Sequence, residues 1–237
     1  MSNSYFKFKK FTIEQSGCAM KVGTDGCLLG AWFDNSNCKQ ILDIGAGTGL
    51  ISIMAAQRCP TATITGIEID NIAAMRATEN AKKSPWSERV RIINVDVNNF
   101  ASEERFDTIV SNPPYFSNSL KCDDKQRTLA RHNDSLTPEL FFRNAGLLLA
   151  DNGKISIIIP CDTLDEWTSQ AAFKGFSAHR ITNVHTTPRK EAKRVLVEFR
   201  REACTAPLTE KLILETAPGE YSQEATAMLR DFYLKLD

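Results

Sequence analysis

The sequence has no surplus of either charge. Its 29 lysines and arginines are matched by 29 aspartates and glutamates, which excludes a whole-molecule pull on nucleic acid or on an anionic membrane. Any polyanion must be met by local basic patches. Nor is there an apolar run near the ~18 residues that a spanning helix needs, and the opening MSNSYFKFKK lacks the apolar core of a secretory signal. No membrane association and a cytoplasmic location are expected. The seven cysteines, at 18, 27, 38, 59, 122, 161 and 204, include no C-x-x-C pair and none lies near a histidine in metal-ligand spacing. They read as free thiols in a reducing compartment, with no metal expected. The histidines, at 132, 179 and 185, are too dispersed in sequence to suggest a zinc site. Also missing are internal repeats, low-complexity tracts and a Pro/Gly/Ser-rich linker, so nothing marks a second domain.

What is present is the ordinary material of one globular domain: 237 residues, 42% hydrophobic and 24% charged. From Gln40 onward, short β-branched runs alternate with helix-length amphipathic segments, the pattern of βαβ units and a mostly parallel sheet. Strands are expected at 40–44, 63–69, 90–95, 106–111 and 154–160, and helices at about 48–58, 71–83, 137–149 and 163–174. Thr137 and Pro138 have the chemistry of an N-cap and a first helical residue. Asn152-Gly153 has that of a helix stop. The runs 179–187 and 193–200 read as a hairpin at a sheet edge, and the tail from Ser222 as a helix with Ala225, Met228, Leu229 and Phe232 on one face. Residues 1–39 stand outside the alternating pattern and 40–237 within it, the whole forming one compact unit.

Directly after the first of these strands comes Asp43-Ile44-Gly45-Ala46-Gly47-Thr48-Gly49, running straight into a helix. Glycines admit left-handed backbone and let a ligand lie against bare main chain, while the helix start offers N–H donors. A dinucleotide fingerprint would place its third glycine at position 50, where Leu50 stands. Glu68, ending the second strand, can accept from both hydroxyls of a ribose, which suits any nucleoside cofactor. Asp70 is read as a helix N-cap, and Asp96, after the third strand, as either a turn carboxylate or a cofactor contact.

After the fourth strand stands Asn112-Pro113-Pro114-Tyr115. An amine conjugated to a ring has its lone pair delocalised and is a poor nucleophile. Two acceptors aimed at its hydrogens orient it and favour a more tetrahedral nitrogen. The Asn112 side-chain oxygen and the Pro113 carbonyl could be those acceptors, the prolines stiffening the segment, with Tyr115 as a flat stacking face worth about 1–3 kcal/mol for a base. A turn after a strand would explain Asn-Pro-Pro alone, but not its combination with the glycine loop.

The glycine loop resembles motif I of class I methyltransferases, and the Asn-Pro-Pro-Tyr run resembles motif IV of those that modify amino groups. The resemblance implies a Rossmann-like class I fold with a mostly parallel seven-stranded sheet, helices on both faces and a C-terminal antiparallel hairpin. It also implies S-adenosyl-L-methionine as cofactor. Asp43, Gly45, Gly47, Gly49 and Glu68 would then hold that cofactor, and Asp96 would meet the adenine amino group. Upstream, the K-V-G-T-D-G turn at 21–26 resembles the N-terminal element of adenine and guanine amino methyltransferases. Lys21, Gly23 and Thr24 would line the pocket, and Asp25 would cap the next helix. Over nearly the whole chain, including FKFKKFTIEQ and the ARHN stretch at 130–133, the sequence is similar to bacterial tRNA adenine N6-methyltransferases acting on the adenosine 3′ of a valine tRNA anticodon.

A tRNA partner follows from that resemblance, with no obligate protein partner evident. Lys121, Lys125, Arg127 and Arg131, next to the catalytic motif, are candidate phosphate contacts for a flipped nucleotide. Two other basic clusters, Lys7, Lys9 and Lys10, and Arg189, Lys190, Lys193 and Arg194, fit RNA contact and solvated loops equally. His132 reads as a loop or substrate-side residue rather than a general base. Three alternatives remain within methyl transfer or beside it. A protein glutamine N5-methyltransferase uses the same Asn-Pro-Pro-Tyr logic but carries a larger N-terminal helical domain, where only 42 residues precede Asp43 here. An rRNA guanine N2-methyltransferase usually shows a second, degenerate domain, and a non-catalytic nucleoside-binding module has no use for Asn-Pro-Pro-Tyr.

Overall fold

The computed structural model describes residues 3–114 and 136–236. A two-stranded ribbon, β1 (Tyr5–Lys7) and β2 (Thr12–Glu14), precedes α1 (Thr24–Trp32). There follow β3 (Gln40–Ile44), α2 (Leu50–Arg58), β4 (Thr63–Glu68), α3 (Asn71–Lys83), β5 (Val90–Asn94) and β6 (Phe106–Ser111). Next come α4 (Pro138–Leu148), β7 (Leu149–Pro160), α5 (Leu164–Phe173), β8 (Ser177–His185) and β9 (Arg194–Arg200). Last are β10 (Leu208–Ile213), the small pair β11 (Glu215–Ala217) and β12 (Glu220–Tyr221), and α6 (Gln223–Leu229).

Eight strands form the main sheet in the order β5-β4-β3-β6-β7-β9-β8-β10. All neighbours are parallel except β9, which runs antiparallel to both β7 and β8. Alternation along β3 divides the core in two: Ile41 packs on one face, Leu42 and Ile44 on the other. The first face is covered by Leu28 and Leu29 of α1, Ile53 and Met54 of α2, and Leu229 of α6. The second is covered by α4 and α5, where Phe142 is fully buried against Phe141, Trp167, Phe176 and Phe199 at ring centroids of 5.2, 5.8, 5.8 and 5.1 Å. Helices thus cover both faces, as expected of an α/β sheet whose strands are apolar on each side.

The N-terminal segment belongs to the first core, through Phe8, Phe11 and Ile13. The Lys9 N–H donates to the Phe232 carbonyl (2.8 Å), and Phe8 lies 6.0 Å from Tyr233 between ring centroids. Helix α1 sits unusually close on α2: a Cβ at Gly30 would come within 2.7 Å of the Met54 sulfur, and one at Gly26 within 3.0 Å of Leu50 Cδ2.

Three local expectations change. The sheet has one strand more than the seven expected, because β10 pairs in parallel with β8, so the β8–β9 hairpin is not at the edge. The sequence of β10, LTEKLI, is half exposed and carries two charges, which hid it. Gly153 does not cap α4, which ends at Leu148; it lies inside β7, where a Cβ would meet Leu149 Cγ at 2.6 Å. Close packing, not a left-handed cap, requires glycine there. The cap at Thr137 is as the sequence implies, and Ser222 caps α6 in the same way, each side chain accepting from the backbone N–H three residues on. Among the described residues no helix is long and apolar enough to cross a membrane.

Candidate active site

In this sheet the chain winds outward in both directions from β3 and β6, so the carboxyl ends of those two strands flank the point where the winding reverses. Open α/β sheets bind their ligands in that crevice. The register brings the candidate residues to it side by side: Asp43 pairs with Val110 across β3 and β6, Ile44 with Ile67 across β3 and β4, and Glu68 with Asn94 across β4 and β5. Ser111 Oγ donates to the Ile44 carbonyl at 2.7 Å, fastening the residue before Asn112 to the residue before Gly45. Glu68, the glycine loop and Asn112 therefore leave three adjacent strands at one end.

The loop glycines have different reasons for being glycine. Gly45, Gly47 and Gly49 all have left-handed backbone, with φ of 75°, 56° and 80°. A Cβ at Gly45 or Gly47 would meet nothing within 4 Å, whereas one at Gly49 would come to 3.2 Å from Ala77 Cβ. The first two leave an open bed above the main chain; the third lets the loop close on α3. Glu68, 9% exposed, accepts the Gly47 N–H on one oxygen (2.8 Å) and the Asp70 N–H on the other (2.9 Å). A carboxylate has about four acceptor positions, so it can hold the loop and still receive two ribose hydroxyls.

Asp43 is completely buried. One oxygen accepts from Ser52 Oγ at 2.6 Å, and the other, Oδ1, has no partner. Burial pushes its carboxyl up to about 7, against the Ser52 side-chain and backbone hydrogen bonds and with the help of nearby Glu68. A buried acid with one unpartnered oxygen beside an open glycine bed fits a ligand that brings positive charge, as the methionine end of S-adenosylmethionine does. Asp70 caps α3, accepting from the Ala73 N–H at 2.7 Å. Asp96 caps a 3-10 turn, its Oδ1 accepting from the Asn98 N–H and side-chain amide at 2.9 Å each, beside the end of β5.

The N-terminal segment is tied over this end. Gln15 is buried and accepts the Val22 N–H (2.8 Å), and Arg76 of α3 donates to the Ser16 carbonyl (3.3 Å). Asn80 of α3 donates to both the Glu14 and Thr48 carbonyls and accepts the Glu14 N–H, all at 2.9 Å, joining β2 to the glycine loop. Gly23 is the N-cap of α1, whose first turn packs on the first turn of α2 through Gly26; Lys21 and Thr24 are exposed beside it. Asp25 does not cap that helix: it is paired with Arg194 of β9 (2.7 Å), a partner 169 residues away. Sequence gave no sign of Ser52, Asn80 or Gln15, whose polar bonds reach across the fold.

Asn112 is half-buried, Pro113 buried and Pro114 exposed. Tyr115, Lys121, Lys125, Arg127, Arg131 and His132 lie outside the described residues.

A family model for the methyltransferase small domain matches residues 18–163. Among solved structures, the fold resembles a predicted O-methyltransferase of Agrobacterium tumefaciens, with a TM-score of 0.68 and 24% identity over 88% of this chain and 96% of that one. It also resembles the ribosomal protein L11 methylase of Lactobacillus delbrueckii, with a TM-score of 0.57 and 15% identity over 81% and 84% of the two chains. Fold and strand-end site together define a class I methyltransferase. Curated relatives narrow the class: a protein of Bacteroides thetaiotaomicron is 45% identical over 100% of both chains, and one of Trichodesmium erythraeum 41% identical over 99% of this chain and 100% of its own. Both are named tRNA1(Val) (adenine(37)-N6)-methyltransferase, and the chain belongs to that family.

Proposed function

We propose that this enzyme transfers a methyl group from S-adenosylmethionine to the exocyclic N6 of adenine 37, next to the anticodon of valine tRNA. The alignment of Glu68, the glycine loop and Asn112 on three adjacent strand ends supports the chemistry. The names of full-length relatives support the substrate.

Gly45, Gly47 and Gly49 give the cofactor a bare main-chain bed, Glu68 holds its ribose, Asp96 its adenine amino group and Asp43 its methionine end. Lys21, Gly23 and Thr24, in the stretch after β2 that Gln15 and Asn80 tie over this end, cover it. When bound, the cofactor supplies an electrophilic methyl group on a sulfonium. The Asn112 side-chain oxygen and the Pro113 carbonyl accept the two amine hydrogens and turn the nitrogen lone pair toward the methyl group. The fixed φ of Pro113 keeps its carbonyl aimed without an ordering cost at each turnover. Tyr115 stacks on the adenine, and Lys121, Lys125, Arg127 and Arg131 hold neighbouring phosphates. The methylated nitrogen is acidic, so its proton leaves to solvent without a strong base. The chain acts in the cytoplasm, where tRNA and reduced cysteines belong.

Incubating the enzyme with labelled cofactor and unmodified valine tRNA tests this directly. N6-methyladenosine at position 37, and no incorporation when that base is guanine, is the expected result. Label in a release-factor glutamine, with none in tRNA, would replace this function by the protein-directed alternative.

A further inference from the structure

The two basic clusters that sequence leaves equivalent are at opposite ends of the sheet. Lys7, Lys9 and Lys10 flank the tip of the β1–β2 ribbon. That tip packs through Phe11 on Trp86 (6.0 Å between ring centroids), in the connection that leads into the start of β5. This is the amino end of the parallel strands, away from Asn112. Lys9 is moreover engaged with the Leu236 carbonyl. Strand β8, in contrast, runs parallel to β6 and β7, so the turn that follows it, residues 186–193, emerges at the carboxyl end. The Cys161 N–H donates to the Lys193 carbonyl (3.3 Å), just past β7, whose Ile157 pairs with Ser111. With strands about 4.8 Å apart, Lys193 lies two strands, or about 10 Å, across the sheet from the Asn112 strand.

This turn is braced rather than loose. His185 Nδ1 donates to the Lys190 carbonyl (2.8 Å), the Lys190 N–H to the Thr187 carbonyl (3.2 Å) and the Lys193 N–H to the Val184 carbonyl (3.2 Å). Arg194, bonded to Asp25, ties its far end to α1 at the cofactor side. Arg189, Lys190 and Lys193 are exposed and, among the described residues, form no ion pair, while the nearby carboxylates are Glu191 in the turn, Asp162 next to Cys161, and Glu215, whose N–H donates to the Thr186 carbonyl (2.9 Å). On a molecule of zero net charge, three cations on a rigid turn beside the active site form a local polyanion-binding surface.

We propose that Arg189, Lys190 and Lys193 contact backbone phosphates of the tRNA flanking the target adenosine, and that the Lys7–Lys10 cluster does not. This inference rests on the tRNA methyltransferase reading above. The test compares wild type with R189A/K190A/K193A and with K7A/K10A, using unmodified valine tRNA. Its readouts are tRNA affinity between about 50 and 200 mM salt and steady-state kinetics. The R189A/K190A/K193A enzyme should keep wild-type cofactor affinity and thermal midpoint. Its tRNA KM should rise about tenfold or more, and its salt slope should flatten by about two units, at ~0.7–0.9 per lost contact. The K7A/K10A enzyme should match wild type. A wild-type slope and KM in R189A/K190A/K193A, or an equal loss in K7A/K10A, overturns the surface while leaving the function standing. A wild-type enzyme that neither binds nor methylates tRNA overturns both.

Discussion

On the proposed mechanism, replacing Asn112 by Ala removes one of two acceptors from the amine while leaving the glycine bed and Glu68 untouched. Cofactor affinity should stay near normal and the single-turnover methyl-transfer rate should fall by roughly 10²–10³, the scale of one lost oriented polar group. Asn112→Asp still accepts the hydrogen and should retain partial activity; a fully active Asn112→Ala enzyme would remove Asn112 from the mechanism. Gly47→Val adds a branched side chain where φ is 56° and where the space above the main chain is open, so calorimetric titration should detect no cofactor binding in the folded variant. Asp43 offers a test in pH. Burial raises its carboxyl from 3.8 to about 7, so its contribution to stability is complete below pH 3.8 and is lost as pH rises through 7. Asp43→Asn, always neutral, should flatten the thermal midpoint across that range. A cationic ligand beside Asp43 favours its ionised form. Cofactor binding near pH 7 should therefore release protons in wild type and none from this site in Asp43→Asn, as measured by calorimetry in buffers of different ionisation heat.

At the scale of elements, what could be read from sequence is what neighbouring residues decide. The glycine loop and Asn-Pro-Pro are local backbone restrictions, and β3, β6 and α3 fall where their apolar patterns put them. What could not be read depends on partners far along the chain. Asp25 has the composition of a cap but is drawn to Arg194 on β9. Gly153 looks like a helix stop but is required by Leu149, and β10 is a strand because β8 offers it an open edge. Asn80 belongs with these: mid-helix, it joins β2 and the Thr48 carbonyl. Asn80→Leu unties the N-terminal cover from the glycine loop. The cofactor KM should rise about tenfold while kcat at saturating cofactor changes little, consistent with the ~1.4 kcal/mol of a charge-free bond network. Thr137→Ala, by comparison, removes a cap worth about 1 kcal/mol and should lower the thermal midpoint with no change in cofactor KM. An Asn80→Leu enzyme that lost only thermal stability would make Asn80 merely structural.

For the molecule as a whole, zero net charge means that its response to salt is set by patches, not by a global field. Changing Lys125, Arg127 and Arg131 to Ala should flatten the salt dependence of tRNA binding by about one unit per lost phosphate contact, with cofactor affinity unmoved. Unchanged tRNA affinity and slope would make that cluster a solvated stretch. The fold also carries a clock. Phe8 is buried beside Tyr233, and the main chain of Lys9 is bonded to Phe232, while the ammonium of Lys9 reaches a carbonyl 227 positions further on. During synthesis at ~5–20 residues per second, Phe8 emerges roughly ten to forty-five seconds before Tyr233, the last aromatic ring to pack beside it. For that interval the nascent chain displays an incompletely covered aromatic side chain, a target for holding chaperones, and the β1–β2 ribbon is fastened at its tip only when the residues after the last helix arrive.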